Sequence, residues 1–209
     1  MTGARRGLRW ARVAVLRATF VVAVPFAASV ASVGCRAHAD LPTYGTVPAF
    51  ALTDQAGKPF TRDSLKGTPW VAAFVFTRCP TACPRVTRTM RQLQLEAAQR
   101  NARFRLVSFS VDPDFDTPAV LRRYADEYQA DLGSWSFVTG NADVIQKTAE
   151  QGLKIAAEGR ADPTKANFGI NHGTQLVLVD GQGNIRGYYA SNDQEALARL
   201  LDDAARLAS

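Results

Sequence analysis

Seven consecutive apolar residues at positions 70–76, WVAAFVF, are the feature that most constrains the fold of this 209-residue chain. A short, wholly apolar run of this kind is typical of a central strand that is buried on both faces. Such a strand needs a layer of helices on each side of its sheet. The run therefore predicts an α/β domain, and the chain is long enough for one domain and scarcely two.

The segments around this run alternate between strands and helices. Helices are predicted at residues 84–99, from 118 to about 129 after the cap Thr117, from the cap Asn141 to about 151, and at 192–207. Strands are predicted at 104–111 and 135–139, with hairpins at 48–52/59–61 and 174–179/184–189. This order predicts an N-terminal hairpin and a mostly parallel sheet with helices on both faces, to which the final hairpin adds antiparallel strands. It resembles a thioredoxin-like fold with an insertion in its middle.

The net charge of +6 comes mostly from the amino-terminal segment. Residues 1–34 contain five arginines and no acidic residue, which leaves 20 basic against 19 acidic residues in the remainder. A nearly neutral body gives no electrostatic reason to expect nucleic-acid binding. The balance of 46% apolar and 21% charged residues also excludes a mainly disordered chain.

The amino-terminal segment has the pattern of an export signal. Residues 1–17 are basic and residues 18–33 are uncharged, but these 16 residues fall short of the roughly 20 that span a bilayer. Cys35 follows Gly34 as in a bacterial lipobox, whereas Ala-His-Ala before Asp40 suits cleavage to a soluble protein. We expect residues 1–39 to be an export signal or membrane tether and residues 40–209 to form the folded domain. Lipidation at Cys35, soluble export and an uncleaved anchor are the alternatives.

Cys79 and Cys83 form a close pair between the predicted central strand and the next helix. Ligands bind at the carboxyl ends of strands in open α/β sheets, which is where this pair lies. Pro84 disfavours the helical conformation for the residue before it, so Cys83 is predicted to cap the helix and Cys79 to lie in the loop. The helix dipole and the flanking Arg78 and Arg85 should lower the pKa of the thiols.

Two thiolates at this spacing can converge on one soft metal ion or pair as a disulfide. The chain has two histidines, and His38 lies at the leader junction. His172, just ahead of a predicted strand, is therefore the candidate third ligand. A Cys₂His set lacks the fourth protein ligand of a structural zinc site and suits three-coordinate Cu(I). Cu(II) would be reachable with an added water or backbone oxygen.

The most specific motifs are FTRCPTACP at 76–84, SVDPDFDTP at 110–118, and Asn171-His172 ahead of QLVLVD at 175–180. Together they resemble the SCO/SenC family over roughly residues 46–205. The resemblance implies a membrane-associated copper chaperone that delivers copper to the CuA site of cytochrome c oxidase subunit II. It implies copper ligands at Cys79, Cys83 and His172, and a place at the periplasmic face of the bacterial inner membrane. Other periplasmic copper chaperones or thiol reductants are implied as further partners.

Other interpretations stay open beside this one. The family usually has an aspartate where Asn171 stands, which leaves the orienting partner of His172 undefined. A thiol–disulfide oxidoreductase that reduces target cysteines during oxidase assembly would use Cys79 and Cys83 but would not need His172. A peroxidase fits less well, because the Thr-x-x-Cys motif of peroxiredoxins is one residue short here.

Two charged clusters have simpler interpretations. The aspartates at positions 112, 114 and 116 are interpreted as a turn before a helix cap, since prolines at 113 and 118 make turns. The arginines at positions 85, 88 and 91 form a basic stripe on the predicted helix after the cysteines. This stripe is either a solvated helix face or a docking surface for an acidic partner.

Overall fold

The computed structural model describes residues 40–158, 164 and 170–208, so the predicted leader, with Cys35 and His38, lies outside the described residues. The strands are β1 (Ala51–Asp54), β2 (Pro59–Thr61), β3 (Trp70–Val75), β4 (Arg105–Ser110), β5 (Trp135–Thr139), β6 (Ala157–Glu158), β7 (Asn171–His172), β8 (Gln175–Val179) and β9 (Ile185–Ala190). The helices are α1 (Ala82–Arg100), α2 (Pro118–Glu127), α3 (Ala142–Lys147) and α4 (Gln194–Leu207). A 3-10 turn spans Arg62–Leu65 and a π-helical turn spans Thr148–Leu153.

Seven of these strands form one mixed sheet in the order β2-β1-β5-β4-β3-β8-β9. The central strands β3, β4 and β5 are parallel, whereas the strands that flank them pair in antiparallel fashion. The mostly parallel arrangement predicted from the sequence is therefore limited to the centre of the sheet, because both hairpins join its edges with reversed direction. The α/β architecture and the N-terminal hairpin agree with the prediction.

Strand β3 is buried along its whole length because the sheet is covered on both faces. Val71 and Val75 face one core, and Ala72 and Phe74 face the other, as expected for the alternation of side chains along a strand. The first core packs against α1, α2 and α4 through Met90, Leu121 and Leu200. The second packs against α3 and the π-helical turn through Ile145 and Leu153. The apolar run at 70–76 thus has its predicted role.

The helix caps were predicted well except at α1. The Thr117 and Asn141 side chains accept hydrogen bonds from the first turns of α2 and α3. Helix α1, however, begins at Ala82, so Cys83 lies in its first turn and the prediction that Cys83 caps the helix is wrong. A proline is tolerated in the first helical turn, whose N–H groups have no intrahelical partner. Burial of the Cys83 side chain favours this earlier start.

A second, two-stranded sheet was not predicted. It pairs Ala157 of β6 with His172 of β7, close to the cysteine loop. These strands are only two residues long, which is too short for a recognisable sequence pattern. Among the helices of the described ranges, none is long and apolar enough to cross a bilayer.

Candidate metal and thiol site

Both cysteines lie at the carboxyl end of β3, Cys79 in the loop between β3 and α1 and Cys83 in the first turn of α1. The N–H of Cys79 donates to the carbonyl oxygen of Phe76 at 3.2 Å, which turns the chain back after the strand. The Sγ of Cys79 accepts the N–H of Cys83 at 3.5 Å, and the Sγ of Cys83 accepts the N–H of Phe76 at 3.4 Å. Both cysteines are buried free thiols. The predicted loop position of Cys79 is therefore confirmed.

His172 approaches this loop from a distant part of the chain. Its Nε2 lies 3.3 Å from the Sγ of Cys83, and its ring packs edge to face against Phe76 at 5.8 Å between centroids. Its Nδ1 lies 3.1 Å from the carbonyl oxygen of Gly173. Because a carbonyl oxygen only accepts, Nδ1 carries the proton and the lone pair of Nε2 faces Cys83. Burial lowers the pKa of His172, so the ring is neutral at pH 7.

The small β6–β7 sheet explains how His172 is held. The N–H of Gly173 donates to the carbonyl oxygen of Ala156 at 3.0 Å, which extends the pairing between Ala157 and His172. A Cβ atom at Gly173 would lie 2.9 Å from Cγ2 of Ile155, so the close approach of the two segments needs glycine there. The Gly173 carbonyl orients the imidazole, a role that an acidic neighbour often takes at metal sites.

The two thiols have opposite electrostatic environments. Burial alone would raise the pKa of Cys79, but hydrogen bonds from the backbone N–H groups of Cys83, Thr81 and Ala82 outweigh burial and lower it. Burial raises the pKa of Cys83, and the neighbouring Cys79 sulfur adds to that effect. The prediction that the helix terminus lowers the pKa of Cys83 is therefore wrong, because complete burial outweighs the dipole. Of the two thiols, Cys79 is therefore the one whose environment favours the thiolate.

A buried carboxylate fixes the start of the cysteine loop. Asp116 is fully buried and accepts hydrogen bonds from the N–H and Oγ1 of Thr77 and from the Oγ of Ser110. The Thr77 N–H lies 3.1 Å from its Oδ2. Burial raises the pKa of Asp116. The turn predicted for the three aspartates is present. The sequence did not reveal that Asp116 in this turn binds Thr77 and so fixes the start of the cysteine loop.

A second carboxylate holds Arg78, the residue before Cys79. The Nη2 of Arg78 lies 2.6 Å from Oδ2 of Asp112, which is 2% exposed. The guanidinium also lies 4.1 Å from the centre of the Phe115 ring. The predicted influence of Arg78 on the thiols is therefore offset by an adjacent negative charge. Strands β3 and β4 are parallel neighbours, so the loops that follow them meet, and this is the signal that could have identified both aspartates.

The donor atoms of this site fit a soft metal ion. Two sulfurs and one imidazole nitrogen are brought to the end of β3, and soft ligands of this type favour Cu(I). In the described part of the chain, no three His, Cys, Asp or Glu side chains already surround one common point. Cys79 and His172 instead both contact Cys83 through hydrogen bonds. Cys35, the other predicted site residue, lies outside the described residues.

Fold and site together define a class of protein. Thioredoxin-like proteins have this arrangement: an α/β sheet of this order, with a cysteine pair where a central strand leads into the next helix. The histidine against Cys83 separates this chain from those that use cysteines alone. The chain belongs to the SCO1/SenC family, whose model matches residues 39–208.

Known relatives agree with this assignment. The chain is 42% identical over 158 residues to the SCO1 protein homolog of Bacillus subtilis, which covers 75% of this chain and 80% of that protein. BsSco is described as a member of the Sco family of cytochrome c oxidase assembly proteins with a disulfide switch. Its structure is 28% identical to this chain with a TM-score of 0.69, and the match covers 79% of this chain and 98% of BsSco. Bradyrhizobium japonicum ScoI, solved with copper bound, is 26% identical with a TM-score of 0.63, covering 74% of this chain and 97% of ScoI.

Proposed function

We propose that this protein binds copper at Cys79, Cys83 and His172 and delivers it to the CuA site of cytochrome c oxidase. The observation that carries the proposal is the 3.3 Å contact between Cys83 Sγ and His172 Nε2. It brings an imidazole with an available lone pair to a cysteine pair, and thiol exchange alone has no need of that imidazole. Copper is the cargo of such a protein.

The three donor atoms supply what Cu(I) requires. Hydrogen bonds lower the pKa of Cys79 and burial raises that of Cys83, so Cys83 at least would lose a proton when the metal binds and copper uptake should release protons. The Gly173 carbonyl keeps the proton on Nδ1 and leaves Nε2 for the metal. The copper-bound state of ScoI and the link of BsSco to oxidase assembly support the proposal.

The leader determines where this chemistry would take place. We propose that residues 1–39 export the chain and that lipid on Cys35 tethers the folded domain, residues 40–209, to the periplasmic face of the inner membrane. There it would meet oxidase subunit II and other copper chaperones or thiol reductants. Mass spectrometry of the mature amino terminus tests the tether. A mature chain that begins at Asp40 without lipid would refute lipidation and leave export intact.

A second candidate function is reduction of target disulfides. The lowered pKa of Cys79 favours it, because a thiolate is the attacking group in disulfide exchange. The Cys79 thiolate would attack a target disulfide and release one target thiolate, giving a mixed disulfide. Cys83, after losing its proton, would then displace the second target thiol and form the Cys79–Cys83 disulfide. Two electrons would pass to the target, and oxidation of the pair would abolish thiolate binding of copper.

Copper stoichiometry on the reduced protein is the experiment that tests the main proposal. We expect one Cu(I) per chain, and loss of tight binding in the Cys79→Ser and Cys83→Ser variants, because a hydroxyl is a hard, neutral ligand. Cys35→Ser is the matched control, since it removes the leader cysteine and should leave the stoichiometry at one. Full binding by Cys83→Ser would show that the site is misplaced.

A further inference from the structure

A cleft of about 360 Å³ opens beside the cysteine site. It lies between the first turns of α1, the start of β8 and the connection from β9 to α4. Ala82 and Thr174, which line it, are neighbours of Cys83 and Gly173 in the chain, so the cleft adjoins the proposed copper site. Its further lining includes Arg85, Arg88, Thr89, Ser191, Asn192 and Gln194.

The charge of this cleft is uncompensated. Arg85 and Arg88 are exposed, and within the described ranges of the chain neither guanidinium has an ion-pair partner. None of the described residues that line the cleft is acidic. Arg100, farther along the same helix, pairs instead with Glu96 and Asp202. In the described ranges, the arginines of α1 without an ion-pair partner are Arg85, Arg88 and Arg91, and the first two lie nearest the site.

The start of α1 also departs from the usual electrostatics of helices. Positive side chains near a helix N-terminus are unfavourable, because that end of the helix is itself positive. Helix α1 has no acidic residue in its first turn and carries Arg85 there instead. Helix α4 follows the rule, with the Asp193 carboxylate accepting the N–H groups of Glu195 and Ala196. Such a departure from a local rule, at two arginines that have no ion-pair partner in the described ranges, points to a partner outside the molecule.

We propose that an acidic segment of a partner protein docks in this cleft, with its carboxylates on Arg85 and Arg88. Arginine pairs with carboxylates through two parallel hydrogen bonds, and the hydroxyl and amide groups of the lining can bind the backbone of an extended segment. A partner that exchanges copper or electrons at the cysteine pair must cover the adjoining surface, so this segment would align it. The role in copper transfer rests on the proposed function, whereas the binding itself does not.

Binding of an octaglutamate peptide to the full-length reduced protein tests the proposal. Backbone NMR shifts should move at the cleft, and affinity should fall as salt rises. The double variant Arg85→Glu/Arg88→Glu should lose at least about tenfold in affinity, because like charges then face each other. Arg103→Glu/Arg123→Glu, which makes the same change in net charge at two exposed positions outside the cleft, is the matched control. The leader contains five arginines, so the site of binding must be read residue by residue.

Two outcomes would overturn the proposal. One is equal peptide affinity for the cleft variant and its control, or shifts confined to other surfaces. The other is perturbation of the cleft by phosphatidylglycerol vesicles but not by the peptide, which would assign the charge to a lipid surface. Copper stoichiometry and peptide affinity are both measured on the arginine variants and on the Cys79→Ser and Cys83→Ser variants. A copper result that contradicts the proposed function then leaves the peptide result, and with it the docking cleft, to be judged separately.

Discussion

The Sγ of Cys83 and the Nε2 of His172 lie 3.3 Å apart although 89 residues separate them in the chain. The contact joins the first turn of α1 to the short strand β7. With Nδ1 engaged by the Gly173 carbonyl, Nε2 can only accept from the thiol or bind a metal in its place. These two atoms thus share the Cys83 proton in the metal-free protein and would both bind the proposed copper ion in its place.

Replacement of His172 by alanine should separate copper delivery from thiol chemistry. We expect copper affinity to fall by at least about 10- to 100-fold, the range seen when only an outer partner of a metal ligand is lost. The cysteines should still oxidise. His38→Ala is the matched control. In cells, we expect oxidase assembly at low copper to fail both in His172→Ala and in the cysteine double variant. Normal assembly in His172→Ala, with failure in the cysteine double variant, would favour the reductase function.

Alkylation should distinguish the two thiols. Iodoacetamide reacts with thiolates, and hydrogen bonds lower the pKa of Cys79 whereas burial raises that of Cys83. Cys79 should therefore be modified first, with a rate that rises and levels off at lower pH than for an ordinary thiol. Peptide mass spectrometry over pH 5–9 would measure both rates, with the urea-denatured chain as reference. Equal rates in the native protein would contradict the assigned environments.

The brace on the cysteine loop can be tested with Thr77→Val. The change keeps the shape of the side chain and removes the hydroxyl that donates to the buried Asp116 carboxylate. We expect the free energy of unfolding to fall by about 1.5–3 kcal/mol, as for hydrogen bonds to charged groups. Urea denaturation measures the change. The exposed Thr43→Val should alter stability by less than about 0.5 kcal/mol, and a similar small effect at Thr77 would refute the brace.

A pH-dependent contribution to stability is expected from Asp180, which is 3% exposed. Burial alone would raise its pKa, but hydrogen bonds from the Asn184 backbone and the Arg186 guanidinium outweigh burial and lower it. The pKa of an aspartate in the unfolded chain is about 3.9, and that of Asp180 in the folded protein is lower. The ionised carboxylate therefore stabilises the native protein when the pH is above the unfolded pKa. This contribution is lost as the pH falls through the folded pKa. The stability gap between wild type and Asp180→Asn should be constant near pH 6 and close at lower pH.

Urea unfolding between pH 2.5 and 7 would measure that gap. Asp114→Asn is the control, because Asp114 is exposed and has no partner of this kind among the described contacts. A gap for Asp180→Asn that does not change with pH would show that the loss is one of packing rather than charge.

Much of the fold was predictable because its signals are local. The apolar run of β3, the caps Thr117 and Asn141, and the turn at 180–183 each act within a few residues. The two hairpins at the edges of the sheet were also predicted, and both are antiparallel. The pairing of β1 with β5 and of β6 with β7 was not, because it depends on contacts between distant segments that leave no periodic pattern in a single sequence. The start of α1 was misplaced because burial of Cys83 outweighed the local preference imposed by Pro84.

The site was predictable in its members but not in its electrostatics. Cys79, Cys83 and His172 were identified from spacing and family resemblance, and the structure brings His172 against Cys83. The pKa of Cys83 was misjudged because the depth of burial cannot be read from the position of a residue in a helix. The roles of Asp112 and Asp116 were missed because they depend on two loops meeting at one edge of the sheet.

The strand that carries His172 belongs to a two-residue ladder separate from the seven-stranded sheet. Few backbone hydrogen bonds hold such a ladder, so it can open locally while the scaffold under the cysteines stays intact. The imidazole is thus held by fewer backbone hydrogen bonds than the strand that leads to the thiols. If copper binds to all three residues as proposed, we expect the imidazole to dissociate first during transfer of the ion, without unfolding of the seven-stranded sheet.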